Sequence, residues 1–416
     1  MTVAVSIGLL LCQWFGPGEG LIPSELYPAG WPARQYPTVL HKAIVDGVSS
    51  NEIPDGLMIA HDTLTTAFGV LLASSNGSTA DEIAEAMTVL SKVTGIANTE
   101  LSHLKPVSDK FKESSYTGVY VPPQLYIRAD YADKIRDMGV DLVPSLPNST
   151  IESLSDKLST ISNDLKDTTS SDDLPYILDR QPEVFVVTAA SFKAVWADAD
   201  FHNENRRMRE FNVDERRRTF VDTLYSLPKQ RHIAHLHKLR ATMLLLPLKY
   251  SRVKFMVILP DRINGLHQME KELEFVDLRS LLGVKMDHGR YDVRLPVMNI
   301  VTNIELADNL GFLGIRKVFN PKQADLSRIT GQKQRLRVRR FPHLTHFELN
   351  EQGINFRNFE IQTRVRHDGE THNHFYASHP FFFALVDEYK VYATGRYGQL
   401  TVDPDDIKGK GMRSSS

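Results

Sequence analysis

The sequence predicts a single α+β domain, for two reasons. Segments with helical and with strand-like apolar spacing alternate from about residue 40 to residue 402, and no linker, repeat or compositional shift divides them. The chain also has 416 residues, 42% of them apolar, which is ample for a large core. Length alone suggests two or three domains at about 150 residues each, but the unbroken pattern favours one.

Charge and cysteine content exclude several classes of protein. The 49 basic and 51 acidic residues leave a net charge of −2, which gives no electrostatic basis for binding nucleic acid. The composition is also not that of a polytopic membrane protein, so we expect neither a nucleic acid nor a membrane as partner. The one cysteine, Cys12, excludes a disulfide scaffold, a cysteine zinc site and a thiol redox motif.

The sequence indicates no catalytic or cofactor site. It contains no GxSxG, P-loop or HExxH motif and no GxGxxG after a strand, so we expect no enzyme and no cofactor. Two groups of histidines could offer metal ligands, but no carboxylates stand in register with them, and solvated loops are the better explanation. These groups are His232, His235 and His237, and His367, His372, His374 and His379. No metal site is expected.

The ends of the chain read as segments outside the fold. Val3 to Leu11 is a short apolar run followed by small residues, which predicts a signal peptide over 1–20; an apolar element of the mature fold is the alternative. Segment 21–39 is rich in Pro and Tyr and is expected to be irregular, and 403–416 is a polar tail. Export would make Asn76 and Asn148 acceptors for N-glycosylation.

The region between these ends contains clear helix and strand patterns. Helical spacing covers Thr63 to Leu72 and Ile151 to Leu165, and the capping box from Thr79 to Glu82 predicts a helix that continues through Met87. Strands are predicted at Val184–Val187, Met243–Leu248, Val253–Leu259, Tyr291–Leu295 and Phe381–Val386. The last of these is a near-continuous apolar run, as expected for a strand buried on both faces.

A basic segment runs from Arg335 to Arg340. Arg335, Arg337 and Arg339 would share one face of a strand, where they could bind an acidic polysaccharide. The solvated face of a sheet is the more common explanation of such a pattern when net charge is close to zero.

Several segments in register resemble the serpin family of serine protease inhibitors. They are Gly56–Met87, Val187–Trp196, Phe255–Pro260, Tyr291–Pro296, Ala324–Ser327, Phe347–Gly353, His379–Phe383 and Gly395–Arg396. The resemblance covers about residues 40 to 400 and implies one domain, 40–402, with three β-sheets, eight or nine helices and an exposed reactive-centre loop. It further implies a monomer whose partner is a protein. In inhibitory members, a protease cleaves the loop, and the loop then inserts into sheet A as a new central strand.

The resemblance assigns the hinge of this loop to Glu351, Gln352, Gly353, Ile354 and Phe356. Inhibitory members carry small residues after the hinge glycine, because one face of an inserted strand is buried. Here the sequence after Gly353 is INFRNFEIQTR, so either face would bring at least one aromatic and one charged side chain into the core. Insertion should therefore be slow or absent, which predicts a non-inhibitory member.

Other positions are assigned by the same resemblance. The shutter and breach beneath and at the top of sheet A correspond to Thr63, Thr188, Trp196 and His343, with Ala60 where a hydroxyl is usual, so the hydrogen-bond network there is in doubt. Within the family, the segments Ala324–Gly331 and Phe375–Phe381 and the residue Phe356 resemble the collagen-binding chaperone branch. In that branch an Asp at the position of Asp387 pairs with an Arg of collagen.

Three functions are weighed, of which the third, a protease substrate or hormone carrier, has no specific feature in the sequence. The first is a secreted, extracellular, non-inhibitory protein that binds or chaperones a protein, with collagen-like proteins among the candidates. The second is a suicide inhibitor of a trypsin-like serine protease, with a bait region at Arg364, Arg366, His367 and Asp368. Retention in the endoplasmic reticulum is the alternative location, but the C-terminal residues lack a retrieval signal.

Overall fold

A computed structural model describes residues 36–48, 56–91, 111–144, 147–166, 183–197, 201, 206–287, 289–332, 336–355 and 373–398. The predicted signal peptide, the polar tail, the hinge residue Phe356 and the bait residues Arg364, Arg366, His367 and Asp368 lie outside the described residues. So do Cys12 and Arg335.

The helices of the described part, in chain order, are α1 (Tyr36–Gly47), α2 (His61–Ser74), α3 (Gly77–Ser91), α4 (Ala129–Asp137), α5 (Pro147–Ile161), α6 (Asn163–Lys166), α7 (Leu266–Leu273), α8 (Leu306–Asn309) and α9 (Ser327–Thr330). The strands are β1 (Gly56–Ala60), β2 (Lys112–Val121), β3 (Asp141–Pro144), β4 (Glu183–Val195), β5 (Arg207–Asn212), β6 (Arg218–Gln230), β7 (His232–Leu236), β8 (Ala241–Pro247), β9 (Lys254–Pro260), β10 (Arg290–Pro296), β11 (Met298–Glu305), β12 (Arg337–Arg340), β13 (Pro342–Leu349), β14 (Gly353–Ile354), β15 (Asn373–Tyr376), β16 (Phe381–Val386) and β17 (Val391–Tyr397).

These strands form three sheets. Sheet A has the order β11-β13-β14-β4-β2-β3, and β12 pairs with the start of β4. Sheet B has the order β1-β17-β16-β9-β8-β7, and sheet C the order β15-β10-β6-β5. Together with the helices, these sheets confirm the predicted α+β class.

The main core lies between sheets A and B. Phe347 of β13 stacks on Phe383 of β16 with ring centroids 4.9 Å apart, and Phe255 of β9 packs 5.9 Å from Phe347. The opposite face of sheet A is covered by α5 and α6, whose Leu154, Leu158 and Leu165 pack against strand residues such as Phe185, Tyr120 and Leu344. Sheet A is thus buried on both faces where α5 and α6 cover it, whereas Lys193 of β4 and Val301 of β11 are exposed on its outer face. A strand added to the sheet would have one face packed against sheet B.

Most of the local predictions agree with these bounds. The predicted strands fall in β4, β8, β9, β10 and β16, and every residue of β16 is buried because its alternate side chains pack into two hydrophobic clusters, one on each face of sheet B. The first helical pattern is α2, and the second is divided between α5 and α6 at Ser162. Within the described ranges, no helix is long and apolar enough to cross a membrane.

Two local predictions are wrong. The expected capping box does not open α3, which begins at Gly77; instead Thr79 Oγ1 accepts a hydrogen bond from the Asp325 N–H (3.1 Å), and Glu82 accepts one from Lys317 N–H (2.8 Å). Both side chains therefore cap a distant segment. Helix α1 begins at Tyr36, so residues 36–39 are helical rather than irregular, because the apolar side of this helix is buried in the core.

Candidate functional site: the hinge and the fork in sheet A

Strands β4 and β13 pair directly over only part of their length. His343 to His346 pair in parallel with Thr188 to Ser191, and beyond Ser191 the two strands separate. In the space between them lies β14, which is antiparallel to both strands. We call the point of separation the fork. The two-residue strand in the fork belongs to the hinge that the sequence singled out.

Of the described hinge residues, two form a strand of sheet A. Gly353 is opposite Val195, and Ile354 is opposite Ala194 on one side and Leu349 on the other. Ile354 is fully buried. Removing a side chain of this size from water stabilises the inserted hinge by about 1.5–3 kcal/mol.

The hinge glycine is required by space and by backbone conformation. Gly353 has φ +149°, and a Cβ at this position would lie 2.0 Å from the carbonyl oxygen of Ala194. That oxygen belongs to the backbone of β4 and cannot move away without breaking the sheet. A side chain here would therefore expel the hinge.

Asn355 ends the inserted strand and occupies the fork. Its backbone is left-handed (φ +47°), a conformation that Asn tolerates better than most residues. Its N–H donates to Glu348 O (2.8 Å), and its Oδ1 accepts from Glu348 N–H (2.6 Å). Its Nδ2 donates to Phe192 O and Ser191 Oγ, each at 2.8 Å, and lies 3.2 Å from His346 O. The side-chain amide thus takes the place of the next peptide group of the strand. We call this set of bonds the Asn355 clamp.

The turn before the hinge is also held. Trp196 is buried; its Nε1–H donates to Asn350 O (3.0 Å), and its backbone N–H donates to Gln352 O (3.1 Å). Glu351 forms an ion pair with Arg206 (3.0 Å), which also pairs with Asp222 of β6 (2.5 Å). The turn is therefore attached both to the end of β4 and to sheet C.

The shutter retains part of the expected hydrogen-bond network. His343 is fully buried, with Nδ1 2.9 Å from Thr188 Oγ1, and its Nε2 accepts a hydrogen bond from the Ala60 N–H (3.1 Å). Burial lowers the pKa of His343 to about 3, so the ring is neutral and can accept that bond. Thr63 Oγ1 is buried and has no hydrogen-bond partner among the described residues. The backbone of Ala60 thus replaces one lost polar partner, whereas Thr63 contributes none.

Comparison with known protein families agrees with this architecture. The model of the family described as Serpin (serine protease inhibitor) matches residues 56–398. The chain belongs to the serpin family. Because the match spans all three sheets from β1 to β17, the resemblance seen in the sequence is confirmed at the level of family and fold.

Individual serpins are only distantly similar. Human Serpin B10 is 28% identical over 50% of this chain, and that alignment covers 52% of Serpin B10, so the chain spans about half the length of this relative. A protein of Cyanea capillata named serine protease inhibitor is 23% identical over 82% of this chain and 90% of its own. The crystal structure of Serpin48 of the insect Tenebrio molitor has a TM-score of 0.68 at 20% identity and covers 88% of this chain and 96% of that one.

In this serpin, Asp387 is not exposed, although pairing with an arginine of collagen would require an exposed carboxylate. It is buried, and its carboxylate accepts hydrogen bonds from the Tyr389 and Lys390 N–H groups (both 2.8 Å) and from the Tyr392 hydroxyl (2.9 Å). These bonds fold the turn between β16 and β17. The carboxylate is therefore a structural group of this turn, and the expected pairing with a collagen arginine is not supported by its position.

The described arginines of the basic segment Arg335–Arg340 are paired with carboxylates. Glu183 of β4 accepts hydrogen bonds from Arg337 (2.7 Å) and Arg339 (2.8 Å), and Arg340 pairs with Glu305 (2.7 Å). The three guanidinium groups are held between β12 and its neighbours, so the expected polysaccharide surface does not carry the free charge that the sequence suggested.

Asn76 is exposed, as a glycosylation acceptor must be. Asn148 lies in the first turn of α5, and its side chain lies outside the described residues.

Sequence reasoning missed Asn355, Arg206 and Ser191. One signal for the first was available, because Asn directly after a buried apolar residue often marks a left-handed strand end.

Proposed function

We propose that this serpin is exported, does not trap proteases and acts by binding another protein. The Asn355 clamp carries the second of these three points; export rests on the apolar run Val3–Leu11, and protein binding on the family resemblance. Trapping by loop insertion requires the chain beyond Ile354 to continue as a strand between β4 and β13. The clamp favours a stop after Ile354, because it already occupies hydrogen-bonding groups of both strands and because the left-handed backbone of Asn355 is not the extended conformation that a continuing strand requires.

The sequence beyond the clamp supports the same conclusion. Phe356, Arg357, Phe359 and Glu360 follow, so both alternating faces contain an aromatic residue and a charge. The inner face of sheet A packs against sheet B, so burying an unpaired charge there would cost several kcal/mol. Overpacking by an aromatic ring adds roughly 1–3 kcal/mol.

A specific observation favours a second candidate, inhibition of a trypsin-like protease. The fork already holds Gly353 and Ile354 as a strand, which means that sheet A is open at its top. The Cyanea capillata relative is named as a serine protease inhibitor. Arg364 and Arg366 in the loop would suit a protease pocket that bears an Asp.

Incubation with trypsin separates the two candidates. For the non-inhibitory serpin we expect cleavage in the loop, no SDS-stable complex with trypsin, and a Tm of the cleaved protein close to that of the intact one. The matched control is the double variant Arg364→Ala, Arg366→Ala, in which loop cleavage should slow. An SDS-stable complex, or a large rise in Tm on cleavage, would refute the proposal and establish the second candidate.

A further inference from the structure

A second polar cluster lies on sheet A, beneath the α5–α6 pair and next to the clamp, which uses only the backbone groups of His346 and Glu348. His346 and Glu348 of β13 are on one face of the strand, and Asp164 of α6 reaches them from above. One ligand atom from each of the three side chains lies within 4.8 Å of the others. His346 is buried with 3% of its side chain exposed, whereas Asp164 is 33% exposed and open to solvent on one side.

The spacing of these atoms suits a metal ion. His346 Nε2 lies 3.2 Å from Asp164 Oδ2 and 3.1 Å from Asn299 Oδ1. Two ligands of one tetrahedral ion with bonds of about 2.0–2.1 Å are about 3.3 Å apart. The distances from the imidazole nitrogen to these two oxygens are therefore close to those that such an ion requires, and a carboxylate oxygen of Glu348 lies within 4.8 Å.

The other ring nitrogen has a partner that would fix the ligating tautomer. His346 Nδ1 lies 2.8 Å from Ser162 Oγ, at the break between α5 and α6. When Nδ1–H donates to this hydroxyl, the lone pair of Nε2 points to the side where the carboxylate and the amide oxygen lie. Metal-binding histidines are commonly oriented by such a bond from the second nitrogen.

We propose that Asp164, His346 and Glu348 form a binding site for a first-row divalent cation, with Zn²⁺ as the best match and Asn299 as an additional oxygen ligand. One imidazole and two carboxylates suit Zn²⁺ better than Ca²⁺ or Mg²⁺, which prefer oxygen ligands alone. The site joins α6 to β13, and β13 is a strand of the fork. A bound ion would therefore hold the covering helices on sheet A and oppose separation of its strands.

Sequence analysis did not find this site, because Asp164 and His346 are far apart in the chain and neither belongs to a histidine-rich segment. The inference does not depend on the proposed function, since an inhibitory serpin could bind the ion equally well.

Zinc titration of the full-length protein tests the proposal. The protein is stripped with EDTA, desalted and titrated with Zn²⁺ by calorimetry, and Co²⁺ is added separately to record its visible absorption spectrum. We expect one tight site per chain, a rise in Tm with Zn²⁺ but not with Mg²⁺, and at least 10-fold weaker binding in Asp164→Asn and Glu348→Gln. The matched controls are Asp156→Asn on the exposed side of α5 and His235→Gln on the exposed side of β7, which should bind as the unaltered protein does.

Asp164 is partly exposed, so its substitution is tolerated by the fold more readily than a change at the buried His346. The Asp164→Asn variant therefore tests the site even if a His346 variant fails to fold. The proposal is overturned if the unaltered protein shows no tight site. It is equally overturned if Asp164→Asn and Glu348→Gln bind Zn²⁺ as tightly as the controls, since the three side chains would then form only a hydrogen-bonded cluster.

Discussion

The Asn355 clamp gives the sharpest test of how the hinge is held. Asn355→Ala removes three short hydrogen bonds of the side-chain amide, those with Glu348 N–H, Phe192 O and Ser191 Oγ. At about 1 kcal/mol net for each bond, the loss is about 3 kcal/mol. Alanine also tolerates the left-handed backbone less well, which adds about 1 kcal/mol. The inserted hinge should therefore lose about 4 kcal/mol.

Asn355→Gly separates these two contributions. Glycine adopts φ +47° without strain, so this variant should lose only the hydrogen bonds, about 3 kcal/mol. The difference between the two variants measures the backbone contribution, and the glycine variant alone measures the amide. Asn212→Ala, on sheet C, is the control for a lost side-chain amide bond remote from the fork.

Hydrogen exchange followed by mass spectrometry reports on the fork directly. In both Asn355 variants, the peptide containing Glu348 should exchange at least 10-fold faster, because its N–H loses the Asn355 acceptor. In the Asn212 variant its exchange should not change. If the exchange of this peptide is the same in the Asn355 variants as in the unaltered protein, the clamp does not hold the hinge and the argument for arrested insertion fails.

Four further predictions follow from groups around sheet A. Gly353→Ala should expel the hinge, seen as faster exchange of the same β13 peptide; unchanged exchange would contradict the steric argument. The pKa of Glu113 is raised by burial to about 8, so folding holds its proton, and stability to denaturant should fall as pH rises from 7 to 8 in the unaltered protein but not in Glu113→Gln. Burial lowers the pKa of both His343 and His61 to about 3, so the contribution of each neutral ring to stability is complete above pH 6.5 and is lost as pH falls. In Glu113→Gln, each ring should therefore lower stability by up to about 1.4 kcal/mol per pH unit as pH falls from 6.5 to 5, and a flat profile there would refute the neutral rings. Glu183→Gln should remove the carboxylate that neutralises Arg337 and Arg339, and so raise the salt concentration that elutes the protein from immobilised heparin. Equal elution would show that Glu183 does not neutralise these arginines.

Much of the fold could be predicted from the sequence, because apolar periodicity depends on local geometry. The run Phe381–Val386 predicts a strand buried on both faces, and β16 is such a strand. The spacing from Thr63 to Leu72 predicts a helix, and α2 contains it. The order of short motifs along the chain was enough to indicate the family that the family model then established.

Polar groups were predicted less well, because their partners are remote in the chain. Thr79 and Glu82 have the spacing of a helix cap, yet they cap the segment around Lys317 and Asp325. Arg337 belongs to an apparently free basic strip, yet Glu183 neutralises it. In each case a charged or hydrogen-bonding side chain pairs with a residue that is near it only in the folded chain. Such a pairing produces no periodic pattern in the sequence.

The sequence by itself therefore determined the α+β class, the position of the hinge after Asn350 and the bulky, charged residues that follow it. Tertiary structure alone decided that the hinge is inserted for two residues, that Asn355 occupies the fork, and that Asp387 is used within its own turn. The physical reason is that the burial pattern of a helix or strand follows from the spacing of apolar residues within that segment. Hydrogen bonds and ion pairs, in contrast, depend on which strands the three sheets place side by side.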